Sequence, residues 1–257
     1  MQNDKIVTFR ASDGNIIRLE YHEALPSAAE LAREYALSGY PDRYVVFTER
    51  QPEASATGGS ISSSDGERGI YLSCILHPYF YRSQGVLLEQ LSAVALASAL
   101  EEHTSKELGI GWKSDIYCER RKIGTCFVDD DFENYKYLVV NFCVKIDDKN
   151  FPPRLTDMVR KVFEEGNLSV GMIIAKEIIN KFFDIYRELK YPHKNMELYS
   201  NKFILSGKKI KYFDNGIKKT GRVVNVDKST GALNVEAKDG EIIMITSAPD
   251  VIIPNKI

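Results

Sequence analysis

The sequence predicts an α+β fold: a mixed or antiparallel sheet covered by helices, with a small β-barrel appended at its C-terminal end. Three observations carry this. Strand-like and helix-like stretches come in blocks, without the strict alternation that a parallel α/β sheet requires. The character changes near Ser200, after which short apolar strands punctuated by glycine run for roughly 55 residues, the pattern of a small barrel. The chain has 257 residues and is 44% hydrophobic, enough to bury a core without disulfides or a metal. The expected units are therefore residues 1–200 and 201–257.

The elements follow in order. Residues 6–10 and 15–22 read as two strands joined through an Asp13-Gly14 turn, hence a hairpin. After Pro26 and Ser27, the alanine-rich stretch 28–39 has helical spacing and ends at Gly39, a C-cap. Residues 44–49 form an apolar strand. The Gly/Ser-rich segment 52–69 is a loop, and residues 70–76 are again a strand. The spacing over 85–108 predicts a long helix with little polar surface at its middle, packed on a sheet. Three strands are expected around 111–117, 122–129 and 136–146, the last two linked by the acidic turn Asp129 to Asn134. Two amphipathic helices follow at 155–166 and 170–191, stopping before Pro192. Blocked order of this kind favours a sheet covered on one face. In the tail, 208–213, 221–227, 232–237 and 241–248 are the expected strands.

Composition narrows the function. Lys+Arg 34 against Asp+Glu 36 gives a net charge of -2, so no global field draws the protein to nucleic acid or an anionic membrane. The N-terminus lacks the apolar stretch of a leader, and no apolar run approaches the roughly 20 residues that span a bilayer. A cytoplasmic protein is expected. Cys74, Cys118, Cys126 and Cys143 form no CxxC pair and read as free core thiols. His22, His77, His103 and His193 are too scattered for a metal-ligand motif, and there is no P-loop, dinucleotide fingerprint or nucleophile elbow. No metal site is expected on these grounds.

The tail segments 205–212 and 221–240, with Val226, Asp227, Gly231 and Leu233 in a turn between strands, resemble the SH3-like C-terminal domain of biotin-protein ligases. The larger unit is similar to the same family. Gln51 stands where the family's Gln opens its Arg-Gly-rich loop, Trp112 and Asp115 fall on its Lys-Trp-Pro-Asn-Asp strand, and Lys122-Ile123 occupies its Lys-Leu pair. The blocks keep their order across nearly the whole chain. The resemblance implies a biotin/lipoate protein ligase-like domain at 1–200 and an SH3-like barrel at 201–257. It also implies the family's chemistry: a carboxylate is activated by ATP as an acyl-adenylate and passed to a lysine of a carrier protein.

That chemistry brings two anions together and needs fixed cations, usually with Mg²⁺. Here Ser55, Thr57 and Ser60 replace the family's loop arginines, and Gly111 stands before Trp112 in place of its lysine. Lys113 does not substitute for it if both lie on one strand, since neighbouring strand residues point to opposite faces. Losing one such group typically costs ~3–4 kcal/mol of transition-state stabilisation. The family's Ser-Thr-Asn, which hydrogen-bonds the biotin ring, becomes Ser27, Ala28 and Ala29, and its Gly-Ile-Gly-Ile-Asn strand becomes Asn141 to Lys145. Side chains thus replace the glycines that let a ligand approach closely.

The candidate ligand-binding residues are accordingly Ser27, Gln51, Trp112, Asp115, Lys122 and Lys145, with no catalytic residue assigned. Against these roles, Trp112 reads first as a core or pocket-wall aromatic and Lys122 as a solvated strand-end charge, while Asp115 also reads as a turn cap. Lys145 is a new cation on a strand that lines the family's pocket. The sequence therefore predicts a catalytically degenerate ligase homologue that binds a small carboxylic acid or a biotinyl-carrier-type protein. The alternative is an active acyl-protein ligase of altered substrate, with Lys145, Lys113 or Arg68 as replacement cations; ATP, Mg²⁺ and biotin are expected only in that case. Homodimerisation through sheet edges is compatible with both. Without an N-terminal helix-turn-helix pattern, DNA binding is not expected, nor is a membrane partner.

Overall fold

The computed structural model describes residues 5–51, 67–80, 87–104, 106–119, 121–130, 136–145, 168–189, 191–247 and 251–252. Residues 52–66 of the loop expected over 52–69, most of the acidic turn expected over 129–134 and the helix expected over 155–166 lie outside these residues; residues 67–69 are not loop but open a strand that starts at Glu67.

An eight-stranded sheet organises the larger unit, in the order β1-β2-β3-β4-β8-β7-β6-β5. Its strands are β1 (Lys5–Arg10), β2 (Ile16–His22), β3 (Tyr44–Gln51), β4 (Glu67–Leu76), β5 (Leu108–Gly111), β6 (Asp115–Cys118), β7 (Arg121–Asp129) and β8 (Leu138–Lys145). β1 and β2 form the expected antiparallel hairpin. β2 and β3 are parallel, because helix α1 (Ala28–Leu37) returns the chain between them. The remaining neighbours are antiparallel, so the sheet is mixed.

Helices lie on both faces, which corrects the expectation of one covered face. Ala28, Ala32 and Ala36 make a narrow stripe on α1, small enough to let it lie close on Tyr44, Val46, Tyr71, Ile75 and Val139 of the sheet. The strand residues of opposite parity, among them Val45, Phe47, Leu72, Cys74, Val140 and Phe142, pack instead under α2 (Leu88–Glu101) and α3 (Leu168–Tyr186). α2 is buried on nearly every side; α3 contributes Ile174, Ile178, Phe182 and Phe183. Ser27 caps α1, its hydroxyl accepting from Glu30 N at 3.1 Å. Gly39, at φ 81°, stops it.

Sequence reasoning missed two elements and merged two others. A fourth helix, α4 (His193–Lys202), runs on beyond Pro192, which serves as its N-cap. The strand expected over 111–117 is broken: β5 ends at Gly111, residues 112–114 turn, and β6 starts at Asp115. The tail folds as a second, antiparallel sheet ordered β12-β11-β10-β9-β13. Its strands are β9 (Lys209–Asp214), β10 (Ile217–Val226), β11 (Leu233–Glu236), β12 (Ile242–Ile245) and the unanticipated β13 (Val251–Ile252). Tyr212, Val223 and Leu233 join the same apolar cluster as α2 and α3.

One buried charge stands out. Glu49 of β3 is 6% exposed, and its Oε1 has no hydrogen-bond partner. It lies against the first turn of α3, where a Cβ on Gly171 would fall 1.8 Å from that oxygen. Burial pushes its carboxyl up to about 7, against the hydrogen bond from Tyr21.

All four cysteines are free, and three of them are buried. Among the described residues, no helix is long and apolar enough to cross a membrane.

Candidate functional site

The strand register lays one row across the α1 face of the large sheet. Thr48, Tyr71, Cys143, Thr125, Asp115 and Gly111, from β3, β4, β8, β7, β6 and β5, are successive cross-strand partners. Partners in register point to the same side, so these residues share one surface.

At its α1 end the row meets Gln51 and Ser27. Gln51 follows an irregularity in β3 and is buried, its Oε1 accepting from Ala28 N at 2.7 Å. The amide side chain thus satisfies a backbone donor in the first turn of α1, a group that the helix itself leaves unpaired. Ser27, spent on capping the same turn, is its neighbour.

At the other end, Lys122 Nζ lies 2.7 Å from Asp115 Oδ1. Thr125 Oγ1 donates to the same carboxylate oxygen at 2.8 Å. Arg33 reaches down from α1 to Asp129 of β7 in a close ion pair. Between these ends, Ser73 Oγ donates to Asn141 Oδ1 at 2.7 Å. The Cys143 thiol is pushed up to about 12 by burial, against the pull of Lys122, so it is no nucleophile at neutral pH.

The structure takes Trp112 elsewhere. It is 3% exposed, and its indole N–H donates to Gly231 O in the tail at 3.0 Å. Its turn is held on other sides as well. Tyr199 of α4 donates its hydroxyl to Lys113 O at 2.7 Å. Ser114 lies at 3.0 Å from Glu89 of α2 and 2.6 Å from Cys126 O. Burial pushes the Glu89 carboxyl up, while Lys113 and Ser114 pull it down. Since residues 112–114 form a turn, the argument from alternating strand faces does not apply to Lys113.

Five of the six candidates therefore fall into three groups: Ser27 with Gln51, Asp115 with Lys122, and Trp112 apart under the tail. The backbone of Lys145 pairs with Gly69, and its side chain lies outside what the structure describes. Sequence reasoning read Cys143 as a free core thiol, although alternation from Asn141 puts it on the same face; it did not single out Thr125, which meets Asp115 through the pairing of β6 with β7. Glu89 and Gln90 carried no such signal, being polar residues inside an apolar helix.

ATP and Mg²⁺, which the family resemblance implies, do not fit the side chains described at this face. Lys122 and Arg33 are each neutralised by a carboxylate, leaving neither free to meet a triphosphate. Asp115 already holds Lys122 and Thr125 at Oδ1, and among the described residues no group of three or more His, Cys, Asp or Glu side chains comes together that could hold a divalent ion.

No family model matches the chain. Two curated proteins are similar to it. The bifunctional ligase/repressor BirA of Bacillus subtilis is 24% identical over 175 residues, 66% of this chain and 54% of that protein. Its namesake from Bacillus spizizenii is 21% identical over the same length. The chain thus spans about half the length of the curated relatives it matches. Among solved structures, a biotin protein ligase from Aquifex aeolicus in complex with biotin and ATP superposes with TM-score 0.70 at 17% identity, covering 91% of this chain and 97% of that one. The biotin acetyl coenzyme A carboxylase synthetase of Helicobacter pylori with bound biotinylated ATP gives 0.59 at 16% identity, covering 88% and 98%. A biotin protein ligase-like protein of unknown function from Silicibacter gives 0.63 at 12% identity, covering 93% and 97%. The chain is thus similar in sequence to the BirA proteins over two thirds of its length and shares the biotin/lipoate protein ligase fold of these solved structures.

Proposed function

We propose that this biotin-ligase-like protein binds a small carboxylic acid, or a carrier-type protein bearing one, on the α1 face of its large sheet without adenylating it. The observation that carries the reading is the missing positive charge: Ser55, Thr57 and Ser60 at the loop positions and Gly111 before Trp112 stand where the resemblance implies cations. Adenylation needs fixed positive charge where acid and triphosphate meet, and Lys122, the described lysine on this face, is already paired with Asp115 at 2.7 Å. On this reading residues 1–200 form the ligase-like unit and 201–257 an SH3-like barrel. The four free cysteines suit a reducing compartment such as the cytoplasm.

Native mass spectrometry of the protein with MgATP and, separately, biotin, lipoate or octanoate tests this. A bound acid with no adenylate is the expected result. An acyl-adenylate mass with any of the three acids overturns it and favours the active-ligase alternative. In that event Lys145→Ala should abolish adenylate formation if Lys145 is the replacement cation.

A further inference from the structure

The Trp112–Ser114 turn sits where the family places its Lys-Trp-Pro-Asn-Asp segment, and its most buried side chain is anchored outside the ligase-like unit. Two side-chain donors from different elements converge on one tail carbonyl. Trp112 Nε1, from the β5–β6 turn, and Gln90 Nε2, from α2, both donate to Gly231 O at 3.0 Å. All three residues are buried.

The tail turn is built to present that carbonyl. The Asp227 carboxylate accepts from Ser229 N, Thr230 N and Thr230 Oγ1 at 2.7–2.9 Å, and Gly231 N closes the turn on Asp227 O at 2.8 Å. These bonds hold the Asp227 carboxyl below its usual range. Gly231 has φ +69°, and a Cβ there would lie 2.5 Å from Gln90 Nε2 and 3.0 Å from Leu87 Cδ2. Only glycine meets both the backbone conformation and the close approach. On the other side of the contact, Asp115 follows the Trp112–Ser114 turn directly and carries the pair with Lys122.

We propose that the Asp227–Gly231 turn is a positioning element of the candidate site, in which the Gly231 carbonyl sets the Trp112–Ser114 turn and, through it, the placement of Asp115. This rests on reading the α1 face as the ligand site, but its first test does not require a ligand. Trp112 is the only tryptophan in the chain, so emission excited at the red edge, beyond tyrosine absorption, reports this side chain alone.

The test compares Asp227→Ala, which uncaps the tail turn without touching the ligase-like unit, with Asp214→Ala in the β9–β10 hairpin as control. Each full-length variant is followed by tryptophan emission and by amide hydrogen exchange. Asp227→Ala should move the emission to longer wavelength and speed exchange over residues 112–118 and at Cys126 N, which bonds to Ser114 O, by about ten-fold or more, as for a buried donor losing its acceptor. Strands β3 and β4 should keep wild-type protection, and Asp214→Ala should change neither signal. Faster exchange confined to the tail, with the emission unmoved, overturns the proposal. So does uniform loosening of the whole protein. A titration with biotin, lipoate and octanoate then separates the two readings. If wild type binds none of them, the ligand reading fails, while the exchange result still decides the coupling.

Discussion

Replacing Glu49 by glutamine should remove a pH dependence of stability that the fold itself creates. The carboxyl is buried beneath the first turn of α3 with one oxygen unpartnered, and its pKa is raised from 4.5 to about 7. The folded state therefore holds this proton more tightly than the unfolded chain. The resulting stabilisation is fully present below pH 4.5, declines as pH rises from there, and is lost above about 7. At roughly 1.4 kcal/mol per pH unit, the loss across the window amounts to about 3 kcal/mol. Glutamine keeps the shape and cannot ionise, so its own cost, a polar group without a full set of partners, is the same at every pH. Urea unfolding between pH 5 and pH 8 measures the difference. Wild type should lose most of that 3 kcal/mol relative to Glu49→Gln as pH rises. Parallel loss in the two proteins would show that Glu49 does not ionise within the window and would refute the argument.

Gly171→Ala would drive a methyl into the Glu49 carboxylate. It should destabilise the protein by about 1–3 kcal/mol, largely restored in the double variant with Glu49→Ala, as a double-mutant cycle by chemical denaturation would register. Asp115→Asn should release Lys122 from its ion pair and tighten binding of any carboxylate ligand several-fold in calorimetry; unchanged affinity would remove Lys122 from the site. Tyr199→Phe deletes the hydroxyl that holds Lys113 O and should cost about 1 kcal/mol in denaturation experiments.

The architecture was legible because it is encoded locally. The alanine stripe and serine cap of α1, the Asp13-Gly14 hairpin and the glycine-punctuated tail each specify their element from neighbouring residues alone. Where prediction failed, the local signal was weak or misleading. α4 is mostly polar, burying only Asn195, Met196 and Tyr199, and follows a proline that reads as a stop. Trp112–Ser114 looked like strand because aromatic and apolar neighbours surround a turn that owes its place to tertiary contacts. The helices on both faces follow from the parallel β2–β3 pair, a long-range pairing that no local pattern announces.

The sequence by itself determined which residue types the family's chemistry would have to work with. The neutral loop, the glycine before Trp112 and the alanines after Ser27 are matters of identity, independent of folding. Only the tertiary structure decided which charges meet. Asp115 and Lys122 are seven positions apart and come together because β6 and β7 pair with an irregularity in register. Trp112 and Gly231, 119 positions apart, meet because the tail packs onto α2. Electrostatic and hydrogen-bonding partners are set by distance in space, and distance in space is what a linear sequence leaves open.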